Sequence, residues 1–565
     1  MELLLTYTSM NKTNILLGLV TALSVSALPL FAQSKVRKFD TLPTTEPPAE
    51  CRRPADFTPF RYKYTLSELR DRYTEEFRVR AARVMGRVDY LNEQGTWKPS
   101  QESLLQHECP EWFVDAKFGM FVDWGLWSIP AWAGRRESGA AYPDWYEKRM
   151  YGPVEKYHDK YWGEDFERDD FIPLFKAERY NPDEIARIAA ETGIKYVVPF
   201  TKHHTGYCLW DSSFTFRNSK EMGPGRDLMA PLVEACRREG LKFGFYFSVD
   251  EWQYPLLDKN NNIYQHVWDS KLISHDEPYE PLLERIISGK VPVRNFAQDY
   301  IIPQAVEFID RFSPDQIWFD GEWASPVEYL GSYHIAAYYY NTVGRHKPVA
   351  INDRYGLYRT DSIRTENWLR GRIGDYYTSE YHDLSDNKKG HPWEECRGLS
   401  QSFGYNWEDR AENIISTQEF IDMFVRIVSE GGNLLFVVNL DGQGAIPQLE
   451  LERLRSIGDW LRVNGEGIYA TRAYKTTNEG STRYTRSKDH STVYAIVKEF
   501  KGRTLSLKSV RPVEGSQVTM LGSDTPLKWR YDERSGSTII TLPKSLSNPD
   551  NRPCAYAWTL KFKVK

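Results

Sequence analysis

Cysteine is scarce in this chain. The 565 residues contain six, Cys51, Cys109, Cys208, Cys236, Cys396 and Cys554, none of them at a short spacing from another. That pattern excludes a zinc ribbon and a Cys-x-x-Cys redox site, and it allows one or two disulfides in an oxidising compartment without saying which. An excess of charge of one sign is also missing. There are 73 Lys and Arg against 78 Asp and Glu, a formal net charge of -5, and the two signs are interspersed. There is thus neither a basic stripe for nucleic acid nor a polyacidic tail, and the expected partners are small or neutral. Long apolar runs are confined to Ile15 to Ala32, preceded by Lys12 and followed by Gln33-Ser34-Lys35. Broken by Thr21, Ser24, Ser26 and Pro29, this run is a marginal membrane span and has the form of a signal peptide over residues 1–32. Met10 can serve as an alternative start. The mature protein is therefore expected to be secreted or periplasmic, without stable membrane insertion. No solenoid repeat is visible, and the oligomeric state stays open.

What is abundant is aromatic surface, at 14% of residues with 18 Trp and 35 Tyr. Flat apolar rings beside polar groups suit a carbohydrate site. The segment Gln316-Ile317-Trp318-Phe319-Asp320-Gly321 runs from apolar strand residues into a carboxylate closed by a glycine. In barrels of alternating strands and helices, chemistry sits at such strand ends. Three other runs end in polar and aromatic clusters, Lys117 to Gly125, Lys195 to His204 and Lys242 to Trp252. Helix-sized segments, Asp227 to Glu239 and Tyr300 to Phe312, separate them. Alternation of this kind predicts parallel strands with crossover helices.

The chain divides into four parts: the signal, a leader with a helix near Leu66 to Met85 over 33–108, the alternating region over 109–464, and short β-type runs over 465–565. Ser491 to Val497 and Ser537 to Leu542 are two of those runs, and turn residues between them predict a β-sandwich. The fold class is α/β, a (β/α)8-like barrel followed by a C-terminal β-sandwich.

Six motifs occur in order: Trp112-Phe113-Val114-Asp115-Ala116-Lys117-Phe118-Gly119, Thr201-Lys202-His203-His204-Thr205-Gly206, Trp318-Phe319-Asp320-Gly321, Asn352-Asp353-Arg354, Trp393-Glu394 with Ser402-Phe403-Gly404-Tyr405-Asn406, and Gly431-Gly432-Asn433-Leu434-Leu435. From about Glu111 to Pro447 the chain resembles the α-L-fucosidase family of glycoside hydrolases. The resemblance implies a retaining exo-glycosidase with no metal and no organic cofactor, acting on a small-molecule or oligosaccharide substrate. It places the nucleophile at Asp320 and the acid/base at Glu380, with Glu394 and Glu322 as alternatives. A retaining glycosidase needs one ionised carboxylate and one protonated carboxyl roughly 5 Å apart. The resemblance also implies substrate contacts from His203, His204, Trp145, Tyr142, Trp318, Phe121 and Phe403, and it sets Arg354 against the acid/base and sugar ring, where its planar fork can hold carboxylates.

Two positions depart from the family pattern. Asp123 stands where a His is usual, and Asp144 where a Glu is usual, both around the sugar's C3 and C4 hydroxyls. A shorter anionic acceptor at Asp123 would favour an equatorial 4-hydroxyl, so the sequence predicts action on α-L-glucosides, with ordinary α-L-fucosidase activity as the alternative. Two readings of another class are a catalytically silent carbohydrate-binding relative and a polysaccharide-organising surface protein anchored by an uncleaved N-terminus.

Overall fold

The computed structural model describes residues 42–565 apart from 137–138, 151, 267–286, 323–324, 357–372 and 382–389. The signal-peptide segment lies outside the described residues, as does part of the loop from Tyr254 to Val293. Among the described residues, no helix is long and apolar enough to cross a membrane.

Eight strands form one curled parallel sheet: β1 Phe118–Asp123, β2 Tyr196–Lys202, β3 Lys242–Ser248, β4 Gln316–Asp320, β5 Ala350–Ile351, β6 Tyr377–Glu380, β7 Trp393–Gly398 and β8 Asn433–Asn439. Their spatial order is β5-β4-β3-β2-β1-β8-β7-β6, every pairing parallel. This is the order of a barrel opened between β5 and β6. Each of β1, β2, β4 and β8 is buried along its whole length, as strands covered by helices on one side and barrel interior on the other must be.

The covering helices are set by local sequence signals. Pro182–Thr192 starts on Asn181, whose side chain accepts from the Glu184 amide, with Pro182 in the first turn, and it stops at Gly193 in the left-handed region. Thr417–Ser429 begins with a capping box between Ser416 and Glu419. The segments read as helical appear as Met229–Arg238 and Ile302–Phe312, the latter entered through a π-turn at Ala297–Ile301. The N-terminal helix extends past Met85, from Leu66 through a π-turn to Gln94.

At the open seam a side chain replaces strand pairing. The Asp375 amide donates to the Ile351 carbonyl at 2.9 Å, and Asp375 Oδ2 accepts from the Ile351 amide at 2.7 Å. Asp375 is itself held by His107 Nδ1 at 2.6 Å and the Tyr340 hydroxyl at 3.1 Å.

The C-terminal unit has a five-stranded sheet and a three-stranded sheet, all pairings antiparallel, around its own core of residues such as Tyr484, Val493, Leu507, Val518, Leu560 and Phe562. The two predicted runs fall on Thr492–Val497 and Ser537–Thr541. All six cysteines are free thiols, so the disulfides that an oxidising compartment would allow are not formed.

Candidate active site

Side chains alternate along a strand, so residues two apart share the barrel interior. Phe121, Phe200, Tyr246 and Trp318, from β1 to β4, meet there as an aromatic floor. Phe200 stacks on Tyr246 with centroids 4.1 Å apart, and Phe121 lies 4.9 Å from Trp318. Two residues beyond Trp318 on the same face stands Asp320, at the end of β4 and almost buried. Gly321 then turns the chain with φ +96°, a conformation that strains other residues, and an added Cβ would come within 3.1 Å of Asp250.

Residues on the side of the two flanking strands donate to Asp320. Tyr246, in register with Trp318, donates its hydroxyl to Oδ2 at 3.0 Å. Burial, and then the charge of Asp320, push the Tyr246 phenol far above its usual range, so it stays a donor. Arg354 Nη1 donates to Oδ1 at 3.2 Å, and its Nη2 lies 2.6 Å from Glu380 Oε1. One buried guanidinium thus joins the carboxylates at the ends of β4 and β6. Burial alone would lower the Arg354 pKa, but Glu380 and then Asp320 hold it well above its usual value. Its plane lies 4.5 Å over the Trp318 ring, and Nε donates to Thr378 Oγ1 at 2.9 Å, which fixes the fork.

His204 sits behind Asp320, its Nε2 at 3.6 Å from Oδ2. The Ser248 hydroxyl donates to the Asp250 carbonyl, so His204 Nδ1, 2.6 Å from Ser248 Oγ, is the donor to that hydroxyl. The tautomer is therefore set by the backbone at the end of β3.

The opposite wall carries a second acidic pair. Burial pushes Asp123 up to about 7, against the bonds it accepts from Trp127 Nε1 at 2.9 Å and the Gly404 amide. Burial, then the neighbouring Asp123, raise Asp144 well above the carboxylate range, with Arg149 opposing. Two such groups cannot both ionise easily, so one carries a proton at neutral pH. His203 Nε2 lies 3.6 Å from Asp144 Oδ2. Burial and then His204 hold its imidazole well below the usual value, so it is neutral. Asp144 Oδ1 and His203 Nδ1 are buried polar atoms with no protein partner, the state expected of groups that await a ligand hydroxyl.

These groups surround a cavity of about 300 Å³. Nine of the twelve site residues expected from sequence line it: Asp320, Glu380, Asp144, His203, Phe121, Tyr142, Trp145, Trp318 and Phe403. Tyr142 and Phe403 stand as parallel plates 5.6 Å apart. His204 and Arg354 lie behind the wall and act through Asp320 and Glu380. Asp123 is fully buried and does not line the cavity; one of its oxygens accepts from Trp127 Nε1, while Oδ2, like Asp144 Oδ1, is a buried polar atom with no protein partner. The alternative acids are also placed elsewhere. Glu394, near the start of β7, accepts from Tyr196 at 2.5 Å and from Trp318 Nε1 at 3.0 Å, below the floor, while Glu322 is buried and does not line the cavity.

Sequence reasoning missed Tyr246, Phe200, Arg136 and Arg149. Alternation counted back from the ends of β2 and β3 could have found the first two. Arg136 sits on irregular chain and Arg149 ends the one-turn helix Tyr146–Arg149, so neither carries such a signal. Beside the site, Lys202 at 3.1 Å and Lys290 at 2.8 Å hold the buried Glu251 below its usual value, although burial alone would raise it. Gly206 admits this cluster, since a Cβ there would lie 2.1 Å from Glu251 Oε2.

Two carboxylates on one guanidinium, at the C-terminal mouth of a parallel barrel and above an aromatic floor, define a glycoside hydrolase. Residues 85–466 match the family model for alpha-L-fucosidase, and residues 475–563 match that for the alpha-L-fucosidase C-terminal domain. The chain is 32% identical to tissue alpha-L-fucosidase of Rattus norvegicus over 82% of this chain and 92% of that protein. It is 31% identical to the Homo sapiens tissue enzyme over 82% and 91%. The solved Thermotoga maritima alpha-fucosidase in complex with a mechanism-based inhibitor superposes with a TM-score of 0.65 at 32% identity, over 83% of this chain and all of that one. The chain belongs to the alpha-L-fucosidase family.

Proposed function

We propose that the protein releases terminal L-fucose from α-L-fucosides by double displacement. The observation that carries this reading is the Arg354 fork, which sets Asp320 and Glu380 on one small, walled cavity. Asp320, which accepts hydrogen bonds from Arg354 and Tyr246, attacks C1 while Glu380 gives its proton to the departing oxygen. Water then attacks C1 of the glycosyl-aspartate as Glu380 takes a proton from it, restoring the Asp320 carboxylate and the Glu380 acid. Glu380 suits proton cycling because its side chain is 27% exposed and can exchange with solvent between the two steps. A cavity of this size, with rings on several sides, favours a single terminal sugar over an internal residue of a chain.

The names of the relatives support fucoside over glucoside. Turnover of p-nitrophenyl α-L-fucoside and α-L-glucoside by the purified protein tests this. The expected result is a strong preference for the fucoside, and a preference for the glucoside would reverse the assignment. Asp320→Gly should abolish hydrolysis and recover it with azide. A silent binding protein would hydrolyse nothing in either form. Action outside the cytoplasm rests on the N-terminal apolar run alone, and fractionation with N-terminal sequencing of the mature protein tests it.

A further inference from the structure

A second cavity, a groove of about 950 Å³, opens on the C-terminal sandwich and shares no wall with the catalytic one. Its wall contains five Lys and Arg side chains against two Glu. Among the described residues, Lys475, Arg486 and Lys508 make no ion pair. Arg511 is paired with Glu533 at 2.7 Å, which leaves Glu514 as the other acidic side chain of the wall. Like charges held together repel one another, and a chain with net charge -5 has no shortage of acids to pair with them. An anion that binds there would relieve that repulsion.

The same groove is floored with rings in fixed positions. Trp529 is pinned by its Nε1 donating to the Ser516 carbonyl at 2.8 Å, and Tyr474 by its hydroxyl donating to Ser509 at 3.1 Å. Tyr531 lies under the Arg511 guanidinium at 4.0 Å. Rings immobilised before binding offer flat apolar faces at little entropic cost, which is what a pyranose face needs.

We propose that this groove is a non-catalytic site for an acidic polysaccharide, with rings against sugar faces and Lys475, Arg486 and Lys508 against sulfate or carboxylate groups. It would hold a charged glycan on the protein while the barrel works on its chain ends. Aromatic and basic surface together can also take single-stranded nucleic acid. The glycan is favoured because the groove belongs to a glycoside hydrolase.

Isothermal titration of the full chain with dextran sulfate, polygalacturonate, neutral dextran and oligothymidylate tests the assignment. Dextran sulfate separates sulfate recognition from the carboxylate recognition that polygalacturonate reports, and binding of either supports the site. Neutral dextran should not bind, and affinity for the polyanion should fall with added salt as exposed charges are screened over about 8 Å. The triple variant Lys475→Gln/Arg486→Gln/Lys508→Gln should bind the polyanion at least tenfold more weakly with no fall in Tm. Tyr531→Ala should weaken binding several-fold without altering its salt dependence. Equal affinity of the triple variant, binding of neither polyanion by the native chain, or tighter binding of oligothymidylate would each overturn the proposal. Hydrolysis of p-nitrophenyl α-L-fucoside should be the same in all variants, and because Tm reports folding separately, the test stands whatever sugar the barrel cleaves.

Discussion

Arg354 is the residue on which the most geometry converges, since one planar group meets Asp320, Glu380, Thr378 and the Trp318 face. A lysine supplies a point charge but not a fork, so Arg354→Lys should lower kcat by about 100-fold or more with a smaller change in KM. Steady-state kinetics on an aryl fucoside check this, and a loss under tenfold would remove the fork from the mechanism. Asp144 poses a different question. Because burial and Asp123 favour its protonated form, an amide should stand in for it. Asp144→Asn is expected to cost less than about tenfold in kcat/KM and Asp144→Ala more than about 100-fold, since the alanine leaves the sugar hydroxyl and His203 unpaired. Equal losses in the two variants would show that the charged form is the working one.

Among the elements, the seam between β5 and β6 matters most, because Arg354 follows one strand and Glu380 ends the other. Asp375 closes that seam in place of ladder bonds. Asp375→Ala leaves the buried Ile351 amide and the Tyr340 hydroxyl without an acceptor, and should cost about 2–4 kcal/mol in urea unfolding. Its effect on kcat should exceed what the lost stability explains, because the two carboxylates would no longer be held at a fixed separation. Asp375→Asn, which keeps an acceptor, should lie between. Strand ends were legible in the sequence because they depend on neighbours in the chain. The seam was not legible, because Asp375 finds its partners from residues 107, 340 and 351.

The whole molecule buries an unusual set of raised carboxyls. Burial pushes Asp123, Glu147 and Glu394 up to about 7, and Asp250 and Glu450 up to about 8. A carboxyl raised on folding binds its proton more tightly in the native state, so its stabilisation is complete below the unfolded value near 4 and is lost as pH rises through 7 to 8. The depressed His158 and His203 act in the opposite direction below 6.5, and Lys117, lowered to about 7, does so only above 7. Carboxyls outnumber these, so Tm should be higher at pH 5.5 than at pH 8, on the order of 5 °C, and Asp123→Asn should flatten the slope. Calorimetry in matched buffers checks it, and a higher Tm at pH 8 would contradict the burial argument.

By itself the sequence determined the parallel barrel and the trailing β-sandwich, because apolar strand runs, helix-sized segments and turn residues are written in consecutive residues, while most of the cavity wall came from resemblance to a known family. It placed Asp320 and Glu380 as a pair through resemblance to a known family. Only the tertiary structure decided which polar groups face the cavity and which support it from behind. Asp123, His204 and Glu394 lie on or next to strands like the others, but depth along the barrel axis and the claims of Trp127, Ser248, Tyr196 and Trp318 turn them away. The claims on His204 and Glu394 join residues 44 to 198 positions apart, which no local pattern can carry, while Trp127 stands only 4 positions from Asp123.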